Sequence, residues 1–255
     1  MNAPVAHQRK LREMFARASD REPMRSLDGC AVETISAHVA RPLILQYEWL
    51  GDMGRATMFA GLRSPAGELL GVACFGYGPA GGIRDKIGKP AWCLERGACV
   101  HWAPPNAASF LIAHACKLVY QTTKVERFFA YCDPMAGEYG AVYQAANWVY
   151  LGQGIDKKRI RPHRTYVLPP GGNPDNPAEW KTTRALRRGQ RLNYREAEAL
   201  GWKIAYAKDK AREAKHVYAF NVGPKARAWR KAFPVIPYPK PRPELSYADH
   251  RHSAP

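Results

Sequence analysis

From Cys30 onward the chain alternates between stretches with a period of two and stretches with helical spacing. Residues 31–35 (AVETI) alternate as a strand, and 36–51 (SAHVARPLILQYEWLG) read as a helix capped by Ser36 and stopped by Gly51. Two apolar runs, 57–64 and 68–78, are joined by Pro65-Ala66-Gly67, which supplies the turn of an antiparallel hairpin. After a Gly/Pro-rich loop over 78–90, residues 91–102 predict another strand. Phe110, Leu111, Ala115 and Leu118 then sit at helical spacing within 107–121. RFFAYCDP (127–134) predicts a buried strand ending at Asp133-Pro134. A helix over 138–148 and strands over 149–154 and 164–170 follow, so the predicted order is β-α-β-β-β-α-β-α-β-β, a mixed sheet with helices packed on it.

Residues 171–177 (GGNPDNP) break every pattern and mark a linker. The expected organisation is an N-terminal arm (1–29, either a short amphipathic helix or a loosely held segment), a core (30–170), a linker (171–179), a basic α+β extension (180–238) and a Pro-rich tail (239–255). Strands are expected in the extension at 202–208 and 215–222.

At 255 residues the chain is long enough to bury a sizeable core. The apolar runs are short and interrupted by charge, so neither a transmembrane helix nor a secretory signal is expected, and the reading is cytoplasmic. Six cysteines scattered among apolar neighbours, with no C-x-x-C, read as buried thiols of a reducing compartment. Charge changes the picture most. Of the net +17, residues 155–255 hold 23 Lys/Arg against 9 Asp/Glu, a balance of +14. A like-signed field of that size attracts polyanions, and nucleic acid is the commonest of them in the cytoplasm.

Four phrases stand out: Y-E-W-L-G-D-M-G (47–54), G-V-A-C-F-G (71–76), R-G-A-C-V-H-W-A-P-x-N-A-A-S (96–109) and A-Y-x-D-P-x-A-G-E-x-G-x-V-Y-Q-A-x-N-W-x-Y-L-G (130–152). In this order they resemble the Mom-like DNA-modification proteins of phages, a branch of the N-acetyltransferase-like superfamily. The resemblance implies an N-acetyltransferase-like α/β fold and an acyltransferase-like enzyme. It also implies conversion of the exocyclic amine of adenine in double-stranded DNA to a carbamoylmethylated form, which shields phage DNA from restriction in the host cytoplasm. Its implied donor is an acyl-coenzyme A such as acetyl-CoA, with iron as a further cofactor. An aminoacyl-tRNA is the alternative donor. By resemblance, Tyr47, Arg96, Ser109 and Asp133 carry the active site, and Tyr143 stands where many N-acetyltransferases place the acid that protonates the departing thiolate.

The residues themselves allow these roles and plainer ones. Asp133, at the end of an apolar strand, can accept a proton from the amine, ligate a metal, or simply cap the turn before Pro134. Arg96, mid-strand in an apolar run, demands a charge partner or a bound anion unless it points outward from an edge. His101 is a candidate base or, with Asp133, metal ligand, and equally a structural histidine. The start of the helix at Asn106, Ala107, Ala108 and Ser109, with Asn106 as its cap, offers backbone amides to a pyrophosphate, although Pro104 and Pro105 lack theirs. Tyr143 can also be a packing aromatic. Lys157, Lys158, Arg159, Arg161, Arg184, Arg187, Arg188 and Arg191 are candidate phosphate contacts. Trp49, Trp102 and Tyr47 are candidates to stack on a flipped adenine. Two other functions fit the same pattern: a protein or small-molecule N-acetyltransferase, and a non-catalytic DNA-binding phage protein.

Overall fold

The computed structural model describes residues 7–78, 82–153, 163–175, 181–182, 192–208 and 215–240. Helix α1 (His7–Arg17) precedes β1 (Ala31–Ile35) and α2 (Ala37–Tyr47). The hairpin β2 (Met58–Arg63) and β3 (Leu69–Gly76), the short α3 (Ile83–Ile87) and β4 (Ala91–Cys99) follow. Next come α4 (Ala107–Thr123), β5 (Arg127–Cys132), a 3-10 turn at Pro134–Ala136, α5 (Ala141–Ala145) and β6 (Val149–Gln153). The chain continues through β7 (His163–Leu168), β8 (Lys181–Thr182), α6 (Tyr194–Ala199), β9 (Lys203–Lys208), β10 (His216–Asn221) and α7 (Ala226–Lys231).

Local chemistry sets the element ends. In α2 the Ser36 hydroxyl accepts from the Val39 amide at 3.3 Å, and Ala40, Leu43, Ile44 and Tyr47 form its buried face at helical spacing. The helix stops at Tyr47, earlier than Gly51 suggests, because Glu48 is already extended. The helix expected over 138–148 shrinks to Ala141–Ala145. Gly140 takes a left-handed backbone at φ 76°, where a Cβ would overlap the Tyr218 ring, and Asn147 is left-handed at φ 60°.

Seven strands form the main sheet in the order β1-β2-β3-β4-β5-β10-β6, antiparallel at every junction except β4–β5. A second sheet has the order β8-β7-β9. Two strands therefore trade places relative to the sequence reading. The strand expected at 164–170 to close the main sheet pairs with β8 and β9, while the strand expected at 215–222 in the extension runs between β5 and β6. The physical reason is burial. His216–Ala219 are buried at four consecutive positions, as befits a central strand covered on both faces.

β2 and β3 are buried along most of their length, so both faces of the sheet are covered. Helix α4 lies on the face to which Gly71 points, since a Cβ there would sit 3.1 Å from Leu111 Cδ2. On the other face, α2 covers β2–β4, and α3 packs through Ile83 and Ile87 on Cys93, Phe129 and Leu151. Among the described residues no helix is long and apolar enough to cross a membrane.

Candidate functional site

The site begins where the sheet comes apart. β4 and β5 pair only from Ala91↔Arg127 to Cys93↔Phe129; beyond these residues the two strands continue without pairing to each other. A bulge in β4 accompanies the opening: Phe75 faces Leu94 and Cys74 faces Arg96, which leaves Glu95 as the extra residue. Two consecutive charged residues, Glu95 and Arg96, thereby turn toward the loop after α2, where a Cβ at Gly54 would lie 3.2 Å from Glu95 Cβ and 3.6 Å from Arg96 Cζ. A gap at the carboxyl ends of parallel strands is where α/β sheets take ligands.

Arg96 has its charge partners within the protein. Its side chain is 10% exposed, and Nη2 lies 2.5 Å from Asp52 Oδ1, with Nε donating at 3.1 Å to both Oδ1 and the Asp52 carbonyl. Glu48 Oε2 is 3.7 Å away. The guanidinium thus ties the 48–54 loop to β4. Burial pushes Glu48 up to about 7, against the pull of Arg96 and of the Leu50 amide that donates to it at 2.9 Å.

Asp133 is 3% exposed at the end of β5, with Lys215 Nζ 3.5 Å from its Oδ2. Its backbone amide donates to Glu138 Oε2 at 3.3 Å, and Trp49 Nε1 donates to Glu138 Oε1 at 2.7 Å. Burial raises Glu138 above the ordinary carboxylate range even though these donors favour its charged form. The sequence reading singled out neither Glu48, Glu138, Asp52 nor Lys215. The first three lie inside the quoted phrases, and their signal is an acidic residue in an otherwise apolar or Gly-rich stretch. Lys215 has no such signal, because β10 brings it here from 82 residues beyond Asp133.

Tyr47 and His101 meet just past the carboxyl end of β4. The Tyr47 hydroxyl is 3.3 Å from His101 Nδ1, and Phe15 of α1 packs on the Tyr47 ring at 4.7 Å. Arg12 donates to the carbonyls of His101 and Ala103, Gln8 bonds to the Tyr47 carbonyl and the Trp49 amide, and Arg21 lies 4.0 Å over the Trp102 ring. Within the N-terminal segment, His7–Arg17 is therefore a packed helix. Burial, with Arg12 and Arg21 adding to it, holds His101 below its ordinary value. Of the expected His101–Asp133 pair, His101 Nδ1 faces the Tyr47 hydroxyl. Among the described residues no three His, Cys, Asp or Glu side chains are arranged to hold a metal, so the structure lends iron no support.

At the start of α4, Asn106 occupies the cap position with a left-handed backbone, φ 63°, and makes no side-chain capping bond, which corrects the expectation that it caps the helix. Ser109 Oγ donates to the Asn106 carbonyl at 3.0 Å, and the Ala107 amide donates to Pro104. The amides of Ala108 and Ser109 meet no backbone acceptor among the described residues. Tyr143 packs between Trp148 and Tyr218, at 5.0 and 5.3 Å, and burial drives its phenol far above its ordinary value. Lys157, Lys158, Arg159, Arg161, Arg184, Arg187, Arg188 and Arg191 lie outside the described residues.

A family model described as the Mom protein family matches residues 29–240. The chain belongs to the Mom protein family. Every site residue named above falls within the matched range except those of the N-terminal segment, so α1 adds contacts that this Mom-family match does not cover. No curated protein matches the chain. Among solved structures, the Mom-family chain is similar to spermidine N-acetyltransferase from Vibrio cholerae in complex with CoA and spermine. Identity there is 6%, coverage is 76% of this chain and 96% of that one, and the TM-score is 0.40. It is also similar to ribosomal-protein-S5-alanine acetyltransferase from Vibrio fischeri, at 9% identity, 49% and 82% coverage and a TM-score of 0.35. At such scores the likeness says nothing of substrate or donor. The fold class rests on the molecule's own topology: a helix-flanked mixed sheet with one parallel pair that opens at its carboxyl end, an N-acetyltransferase-like α/β fold.

Proposed function

We propose that this chain is a transferase acting on the exocyclic amine of adenine in double-stranded DNA, carrying it to a carbamoylmethylated form that protects the DNA from restriction. The observation that carries this reading is the family match over residues 29–240. The opened β4–β5 gap, with a buried carboxylate at its end, supports it.

Asp133 orients the amine and accepts its proton, and Lys215 steadies the carboxylate. Arg96 acts as a positioning residue: by gripping Asp52 and Glu48 it fixes the loop that carries Trp49. Trp49 is the stacking surface for an extruded base, since it is partly exposed at the gap, whereas Tyr47 is buried and Trp102 lies beneath Arg21. Tyr143, kept protonated by burial, is the acid toward the departing group.

An acyl-CoA donor would supply an activated acyl group as its thioester, which on its own forms an N-acyl bond to the amine and not the N–CH2 bond of a carbamoylmethyl group. Two places would hold it: the β4–β5 gap for the acyl arm, and the Ala108 and Ser109 amides at the positive end of the 17-residue α4 for the pyrophosphate. Ser109 Oγ, already donating to Asn106, retains lone pairs for the donor or acceptor. The basic residues from Lys157 to Arg191 hold the duplex backbone.

The test is mass spectrometry of nucleosides from plasmid DNA co-expressed with the wild-type protein, Asp133→Ala and Asp133→Asn. The expected result is a deoxyadenosine heavier by one carbamoylmethyl group with wild type, lost in both variants. Undiminished adduct in Asp133→Asn would remove Asp133 from the reaction, and unmodified DNA with soluble wild-type protein would overturn the function.

A further inference from the structure

Beyond Cys93↔Phe129 the next residues on the same face of each strand are Glu95 of β4 and Tyr131 of β5, and here the strands no longer pair. Phe129 and Tyr131 stand edge to face at 5.8 Å, Ile83 packs on Cys93 and Phe129, and the next residue, Arg84, is near enough to Cys93 and Tyr131 to act on both electrostatically. Arg84 Cζ lies 5.9 Å over the Tyr77 ring. Three polar atoms of these two residues are buried without a hydrogen-bond partner among the described residues: Glu95 Oε1, Arg84 Nε and Arg84 Nη2. An acid and a guanidinium beside one gap ordinarily pair, and leaving both shielded and unpaired is costly. Both act on the same neighbours: Glu95 raises and Arg84 lowers the Cys93 thiol and the Tyr131 phenol, the latter pushed by burial to about 12. The Gly54 turn lies behind Glu95, where a Cβ on Gly54 would come 3.2 Å from Glu95 Cβ and Oε2.

An acceptor and a donor held apart are complementary to the edge of an adenine, which offers an N–H from its exocyclic amine beside a ring-nitrogen acceptor. We propose that this opening is the base pocket, in which Glu95 accepts one amine hydrogen of the extruded adenine and Arg84 donates to the adjacent ring nitrogen. This rests on the functional reading above and names the residues that select its base. Tyr131 supplies an aromatic wall. Asp133, two residues further along the same side of β5, faces the second amine hydrogen, so holding the base and accepting its proton fall to different carboxylates. Guanine, with a carbonyl where adenine has its amine, would set an acceptor against Glu95 and is excluded.

The experiment has two arms, each on full-length wild type, Glu95→Gln and Arg84→Met, with melting temperatures to confirm folding. In the first, nucleoside mass spectrometry of co-expressed plasmid DNA reads adenine modification, which is expected to fall by about tenfold or more in each variant, the size of losing one base-edge contact. In the second, saturation-transfer NMR reads binding of deoxyadenosine monophosphate and deoxyguanosine monophosphate. Wild type is expected to show transfer to the adenine nucleotide alone, and both variants to lose it. Full modification by folded variants, or equal transfer to both nucleotides, would overturn the pocket. Unmodified DNA with wild type would overturn the functional reading instead, and the NMR arm would then judge the pocket by itself.

Discussion

Glu48 shows how one residue couples burial to function. At 7% exposure its carboxylate is held by Arg96 and the Leu50 amide, yet burial outweighs both and lifts it to about 7. An unfolded chain releases this proton near the ordinary carboxylate value while the folded chain keeps it, so stability falls as pH rises from about 4.5 and levels off above about 7. The full shift corresponds to roughly 3 kcal/mol. Glu48→Gln is therefore expected to flatten that part of the stability curve, read as urea unfolding at pH 5, 6, 7 and 8. A parallel offset at every pH would show that Glu48 titrates as in water. Glu138 is raised in the same direction, so the wild-type slope combines both groups and only the difference between variant and wild type isolates Glu48.

At the scale of elements, the β4 bulge and the loop after α2 form one device. The bulge aims Glu95 and Arg96 at the loop, and the loop accepts them because Gly54 has φ 62° and no side chain. Gly54→Ala strains the left-handed turn and crowds Glu95 at 3.2 Å. The expected cost is about 1–2 kcal/mol of stability, with DNA modification lost out of proportion to it, read by chemical denaturation beside nucleoside mass spectrometry. Modification that tracks stability alone would show that the loop does not shape the site. Most of these elements are legible in the sequence: the Ser36 cap, the Pro65–Gly67 turn and the apolar stripe of α4 act over a few residues. The bulge is not, because an extra residue in one strand is defined only against the register of its neighbour, and Cys74, opposite Arg96, is 22 residues away.

At the scale of the molecule, the uneven charge bears on the proposed meeting with DNA. With +14 of the net +17 in residues 155–255, phosphate contacts should govern DNA affinity and make it fall steeply with salt. Replacing Arg184, Arg187, Arg188 and Arg191 by Gln is expected to reduce the slope of log affinity against log salt by about 3 to 4 for duplex DNA. Fluorescence anisotropy across a salt series checks this, and an unchanged slope would place the DNA backbone elsewhere. The base pocket and the basic segment then divide the work, since phosphate contacts give affinity and register while base-edge contacts give selection.

The sequence by itself determined the α/β class, most of the sheet-forming and helix-forming segments between residues 31 and 150 (α3 falls within the loop expected over 78–90), the uneven charge and the phrases that tie the chain to its family. These are written in short-range patterns and in composition. Only the tertiary structure decided that His216–Asn221, rather than His163–Leu168, lies beside β5, and with it that Lys215 reaches Asp133. It also decided that Arg96 is satisfied by Asp52 and Glu48 while Arg84 and Glu95 are left unpaired among the described residues. Two short apolar strands carry nearly the same local information. Which one is central, and which buried charges find partners, depends on pairing across long separations, where burial on both faces and the matching of donors to acceptors choose among arrangements that local sequence leaves equal.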